Sequence, residues 1–264
     1  MIEVKTGLFS DGSAYERSMG RWSQRVGVNF LDWMDVPAGG RWLDVGCGNG
    51  AFTEALIKRQ KPEGTYGIDP SKAQVDYAAG RQGCAGAQFQ TGDAQNLPYE
   101  DSAFDAAAMA LVISFIPDPD KAAAELARVV RPGGVAGTYM WDTVGDGHPA
   151  NPINKAMRAL GLSGPGAPHA GAGQLDRLRE IWTGAGFTSV ETTVIRIDVT
   201  HPDFDDFWGS NIISTGPLGS RLNALSSRET AALQERLQMD LPHNADGLIA
   251  YGAHANAVKG IVPG

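Results

Sequence analysis

The chain has 264 residues, 42% of them hydrophobic, with a formal net charge of -8. That length suffices for one large α/β core and predicts a single domain, while an acidic balance without clustered Lys and Arg excludes a phosphate-tracking nucleic-acid surface. No run approaches ~18 consecutive apolar residues, residues 1–10 lack a basic start followed by an apolar stretch, and two cysteines and five scattered histidines offer no ligand spacing, so a soluble, cytoplasmic protein without a metal is expected.

In chain order, Tyr15, Met19, Trp22, Val26, Phe30 and Trp33 recur at steps of three and four, which predicts a core-packing helix with only its polar face free for ligand work. Trp42, Leu43 and Val45 predict a buried strand that stops in the turn Gly46-Cys47-Gly48-Asn49-Gly50, and Phe52, Ala55 and Leu56 give one side of a helix over 51–58. Three glycines in five residues let backbone touch a ligand at a positive helix N-terminus. Asp44, inside this turn region, suits bonds to nearby backbone amides or to substrate. Nineteen residues after Gly50, the second strand Tyr66-Gly67-Ile68 ends in Asp69, a carboxylate suited to a ribose diol or to capping the segment that starts at Pro70 and Ser71. After a strand over 87–91, Gly92-Asp93-Ala94 is placed to meet an adenine edge or simply to turn the chain.

Phe104-Asp105 leads into the near-continuous apolar run 106–112, which predicts a central parallel strand. Asp118-Pro119-Asp120 caps a helix over 122–130, Arg131-Pro132-Gly133-Gly134 ends it, and 135–140 reads as the fifth strand. Residues 145–173 turn to Gly, Pro, Ala and His and read as a loop. A helix over 174–185 with Leu175, Leu178, Ile181 and Trp182 inward is followed by a strand over 190–199. Phe204, Phe207, Trp208 and Ile212 form an aromatic helix, and Ser226 caps one carrying Leu233, Leu237 and Leu241.

The glycine turn with Asp69 and Asp93 points to an adenosine-bearing cofactor. Together with the strand after Phe104 and the helix that ends in Pro132-Gly133-Gly134, these elements resemble the class I S-adenosylmethionine-dependent methyltransferases, in the branch that includes the ubiquinone and menaquinone biosynthesis C-methyltransferases. The resemblance implies a Rossmann-like α/β fold: a doubly wound, mostly parallel seven-stranded sheet whose antiparallel last strand, here 248–258, lies beside the sixth. It also implies an N-terminal helical cover over 1–35, a cofactor core over 41–142, a lid over the acceptor pocket at 145–173 and the C-terminal half of the sheet at 174–264.

Carried over by position, the resemblance assigns S-adenosyl-L-methionine as cofactor. Gly46, Cys47 and Gly48 hold its methionine part, Asp69 and Pro70 its ribose, Asp93 and Ala94 its adenine, and Ala110 and Leu111 border the methionyl group. Tyr15 and Arg21 lie near its carboxylate, and Ser114, Phe115 and Trp141 line the acceptor pocket. The partner is then a small molecule, a quinone precursor or secondary metabolite, for a monomer or homodimer without nucleic-acid or membrane partners. Methyl transfer is an in-line displacement that mainly needs alignment and desolvation. Among Tyr139, Trp141, Asp142, His148 and His169, the sequence singles out no base. Two rivals remain at this point. A nicotinamide-dependent oxidoreductase shares the glycine turn but lacks any Tyr-x-x-x-Lys here; the other is a cofactor-binding protein without catalysis.

Overall fold

Apolar runs become strands where both faces are covered and helices where polar residues leave a single stripe. A computed structural model of the chain describes residues 20–164, 166, 168–212 and 217–264. In it, α1 (Arg21–Met34) precedes β1 (Arg41–Val45), α2 (Ala51–Gln60), β2 (Gly64–Asp69), α3 (Lys72–Gly80) and β3 (Gln88–Thr91). Next come β4 (Phe104–Ala110), α4 (Pro119–Val129), β5 (Val130–Trp141), α5 (Asn151–Ala159), α6 (Leu175–Gly184) and β6 (Thr188–His201). Three helices, α7 (Phe204–Ile212), α8 (Pro217–Asn223) and α9 (Ser227–Asp240), separate β6 from β7 (Ile249–Ile261).

All seven strands form one sheet in the order β3-β2-β1-β4-β5-β7-β6. The first five pair in parallel, and β7 runs antiparallel between β5 and β6. The strand order reverses between β1 and β4, so a crevice opens at their carboxyl ends, the usual ligand position in such sheets. Alternation along each strand sends neighbours to opposite faces. Leu43, Val45, Ala107 and Met109 meet Leu126 of α4 and Trp182 of α6 on one face. Trp42, Ala106, Ala108 and Trp141 meet Val26 and Phe30 of α1 and Leu56 of α2 on the other. The fully buried Trp182 also donates from Nε1–H to the Ala136 carbonyl at 3.1 Å. Trp182→Phe removes this bond and part of a buried ring and should cost about 1–2 kcal/mol, read as a lower urea midpoint at unchanged slope.

Several boundaries differ from the sequence reading. The N-terminal helix buries Trp22, Val26 and Phe30 as expected, whereas Trp33 is half-buried beneath the Lys259 ammonium, 5.0 Å from its ring centroid. Tyr15 and Met19 lie outside the described residues. Strand β4 stops at Ala110 and not at 112, because Leu111 turns to the left-handed region with φ 60° and a 3-10 turn, Ile113–Phe115, follows. The helix before β5 stops at Val129, and strand structure starts immediately at Val130 instead of at 135. Pro132 and its glycines fall where the β4–β5 register slips between Phe104 and Ala106, a place in a ladder that tolerates proline.

The larger departure is at 145–173, expected to be loop throughout, where α5 occupies the middle. Ile153, Ala156 and Met157 share one buried stripe, packed with Phe207 of α7 and Leu233 and Leu237 of α9. This short stripe sits between Gly- and Pro-rich flanks, which hide its helical period. Because β6 runs parallel to β5, the segment after β5 and the segment between β6 and β7 both leave the carboxyl edge of the sheet. They join there as a helical cap. Helix α9 begins with the expected Ser226, in a full capping box with Glu229. Ser226→Ala should cost about 1 kcal/mol, seen as a small fall in the urea midpoint.

Candidate functional site

The crevice between β1 and β4 is floored by the glycine turn. Gly46 N–H and Cys47 N–H both donate to the Ile68 carbonyl, at 2.7 and 3.0 Å, which ties the turn to β2. At Gly46 (φ 75°) a Cβ would lie 2.6 Å from Val112 Cγ2, so packing requires glycine. Gly48 (φ 50°) is different: a Cβ there would meet nothing within 4 Å. Its bare backbone faces open space at the N-terminal end of α2, where the helix partial charge is positive.

Asp69, at the end of β2, joins this turn to the next one. Its Oδ2 accepts from Gly48 N–H at 3.0 Å and its Oδ1 from Ser71 N–H at 2.8 Å. Each oxygen keeps a further lone pair for a hydroxyl donor. Burial raises the pKa of this carboxyl above the ordinary value, against the lowering effect of the two N–H bonds. The capping role weighed for Asp69 is therefore real but shared, since Ser71 is the N-cap of α3.

Beneath the turn Asp44 is fully buried; its Oδ2 accepts from the Thr53 hydroxyl at 2.6 Å, and its Oδ1 has no partner. Desolvation lifts its pKa from 3.8 to about 7; the Thr53 bond opposes the rise and Asp69 adds to it. The expected backbone amides are replaced by a neighbouring hydroxyl. An orphaned carboxylate oxygen, a half-satisfied carboxylate and an open glycine fit a cationic ligand that carries a diol.

Of the other expected positions, Cys47 is buried, and that burial pushes its thiol far above the ordinary value, as befits a small apolar filler. Pro70 is exposed just beyond Asp69. Asp93 is exposed and its Oδ1 accepts from Gln95 N–H at 2.9 Å, the turn-forming arrangement, while Ala94 packs half-buried against the core. Ala110 and Leu111 are half-buried at the β4 end of the crevice, with Leu111 N–H bonded to the Tyr139 carbonyl at 2.9 Å.

Arg21 stands at the end of β6, four strands along from β1. Its guanidinium bonds Asp206 Oδ2 at 2.8 Å, beside His201 Nδ1, and so ties α1 to the cap. The structure thus joins Arg21 to Asp206 and not to the glycine turn. Tyr15 lies outside the described residues. Ser114 is buried with an unpartnered Oγ, Phe115 is 36% exposed, and Trp141 is buried in the sheet in a T-shaped contact with His148. Sequence reading missed the cluster of His201, Asp206 and Tyr251 with Arg21, because three distant segments contribute and no spacing links them. Among the described residues no group of three or more His, Cys, Asp or Glu is placed to hold a metal. A shallow groove of 720 Å³ lined by Glu54, Lys58, Asp76 and Arg81 lies on the outer flank of α2 and α3, remote from this chemistry.

Residues 43–137 match the family described as a methyltransferase domain. Over 232 residues the chain is 32% identical to the O-methyltransferase cnsE of Penicillium expansum, covering 85% of this chain and 79% of that protein. A demethylmenaquinone methyltransferase of Lactobacillus johnsonii is 34% identical over 131 residues, 48% of this chain and 52% of its own length. Across the first five curated relatives the matched stretch spans 34% to 52% of their length. In fold, the chain is similar to phosphoethanolamine N-methyltransferase 2 of Haemonchus contortus, solved in complex with S-adenosyl-L-methionine. The TM-score is 0.55 at 17% identity, covering 99% of this chain and 60% of that one.

Proposed function

The chain belongs to the S-adenosylmethionine-dependent methyltransferases, and from that premise we propose that it methylates a small organic acceptor held between the crevice and the helical cap. The observation that carries the reading is the Asp69 carboxylate, fixed by Gly48 and Ser71 N–H groups beside a glycine with open space before it. Asp69 holds the ribose hydroxyls, the turn from Gly46 to Gly48 receives the methionine part, and Ala94 packs beside the adenine. When bound, the cofactor supplies an electrophilic methyl on a sulfonium. The residues around it align the acceptor and exclude water, which is where such a displacement gains its rate. A quinone precursor or secondary metabolite suits the apolar border formed by Ala110, Leu111 and Phe115.

Calorimetric titration with S-adenosylmethionine and with NAD tests the reading. Binding of the first alone is expected, and binding of the dinucleotide alone would remove it. Incubating cell extracts with enzyme and a deuterated-methyl donor, followed by mass spectrometry, identifies the acceptor. A further expectation follows from Asp44. Its carboxyl titrates near pH 7, and a cation bound nearby stabilises the ionised form, so binding should release protons and affinity should rise as pH increases through about 7. Calorimetry in buffers of different ionisation heat measures the release, and Asp44→Asn should abolish its Asp44 component.

A further inference from the structure

We propose that His148 donates a hydrogen bond from Nε2–H to an oxygen of the methyl acceptor and accepts no proton from it, which makes this a site for an acceptor with an enol, phenol or carbonyl oxygen near the methylated atom. The proposal rests on the methyltransferase reading above.

His148 follows β5 at the carboxyl edge of the sheet, in a segment held from several sides. Gly147 N–H donates to the Asp142 carbonyl at 2.6 Å, His254 N–H to the Gly147 carbonyl at 2.8 Å, and the Tyr251 hydroxyl to the Pro149 carbonyl at 2.8 Å. The His148 ring meets Trp141 edge-on at 6.1 Å, and Trp141 belongs to the sheet face that also packs α1 and α2. The imidazole therefore stands on the side of the sheet from which α2 carries the glycine turn. One strand away, Leu111 N–H bonds the Tyr139 carbonyl where β4 borders the crevice.

The ring's protonation pattern is fixed by its surroundings. Ala150 N–H donates to Nδ1 at 3.0 Å, so Nδ1 keeps its lone pair and the single proton of the neutral ring sits on Nε2. A second proton would have to displace the Ala150 bond, and burial pushes the pKa of the imidazole down to about 4. Nε2–H has no hydrogen-bond partner among the described residues. A neutral ring arranged in this way offers a donor and no basic lone pair.

The chemistry follows from that polarity. A general base would remove the acceptor's proton, whereas a fixed donor stabilises the acceptor's oxyanion and so favours the ionised form from which an adjacent atom attacks. The acceptor's proton passes to water before the site closes; an electron pair of the resulting anion then forms the new bond to methyl as the sulfur–methyl pair returns to sulfur.

Two variants separate donor from base. His148→Gln can accept from Ala150 N–H through Oε1 and donate through Nε2, whereas His148→Phe keeps the ring shape and loses the donor. Labelled-methyl incorporation from the deuterated donor into the extract acceptor should fall by about tenfold or more in His148→Phe and recover to within a few-fold of wild type in His148→Gln, with calorimetric affinity for S-adenosylhomocysteine unchanged in both and a thermal midpoint lowered by a few degrees only in His148→Phe, where Ala150 N–H loses its acceptor. Equal incorporation in His148→Phe, or a His148→Gln as impaired as His148→Phe with binding and fold intact, would overturn the proposal. Independently of turnover, nitrogen-15 NMR of the histidine-labelled wild type at neutral pH should show Nε2 protonated and Nδ1 bare; the opposite tautomer, or an imidazolium, would also overturn it. Wild type that transfers no label despite binding cofactor would remove the methyltransferase reading itself, a result separable from either His148 outcome.

Discussion

Gly48→Val is expected to weaken S-adenosylmethionine binding by about a hundredfold or more, roughly 2.7 kcal/mol, while leaving the protein folded. The glycine combines two features at the mouth of the crevice: a φ of 50°, and a Cβ direction that meets nothing within 4 Å. The first predicts a folding cost of about 1–2 kcal/mol for any L side chain, a few degrees of thermal midpoint in a chain of this length. The second places the new side chain where the ligand must lie. Gly46→Val supplies the contrast. A Cβ there meets Val112 at 2.6 Å and the backbone has φ 75°, so the substitution should damage the fold itself. Isothermal calorimetry and thermal melts on both variants check the pair. Wild-type affinity in folded Gly48→Val would show that the turn is no cradle for the methionine part.

Asp69→Ala should reduce cofactor affinity by about 1.5–3 kcal/mol, the range for charge-assisted bonds to a buried diol. Part of the loss is indirect, because the same carboxylate holds Gly48 N–H at 3.0 Å and Ser71 N–H at 2.8 Å. Asp69→Asn keeps one carbonyl acceptor and should fall between the wild type and Asp69→Ala. A cofactor analogue lacking the 2′ and 3′ hydroxyls separates the contributions: its affinity should respond to Asp69→Ala only through the turn. If both ligands lose affinity equally, Asp69 organises the loop and grips no ribose.

Much of the cofactor half was legible because its signals are local. Three glycines after an apolar strand and an acid at the end of the next strand each occupy a few consecutive residues, and the parallel sheet brings them together without further information. The antiparallel insertion of the last strand was legible only through the family resemblance, since nothing in Ile249–Ile261 itself specifies which neighbours it joins. Where reading failed, the cause lay in contacts distant in sequence. Helix α5 is stabilised by α7 and α9, which lie more than forty residues further along the chain. Arg21 found Asp206 and His201, 185 and 180 residues away, rather than the turn 25 residues downstream. At Asp93 the sequence left two readings open, because an Asx-type turn, which the Gln95 N–H bond forms, and an adenine contact use the same residue type at the same place.

The position of β7 bears on how the chain matures. It follows every other strand in sequence yet sits between β5 and β6, so during synthesis those two strands wait as separate unpaired edges until the ribosome has released the residues that join them. The cap, whose α9 leads directly into β7, is anchored at the same moment. A nascent chain stalled before Ile249 would thus carry a formed β1–β4 crevice beside an unfinished helical cap, with its apolar strands open to chaperones.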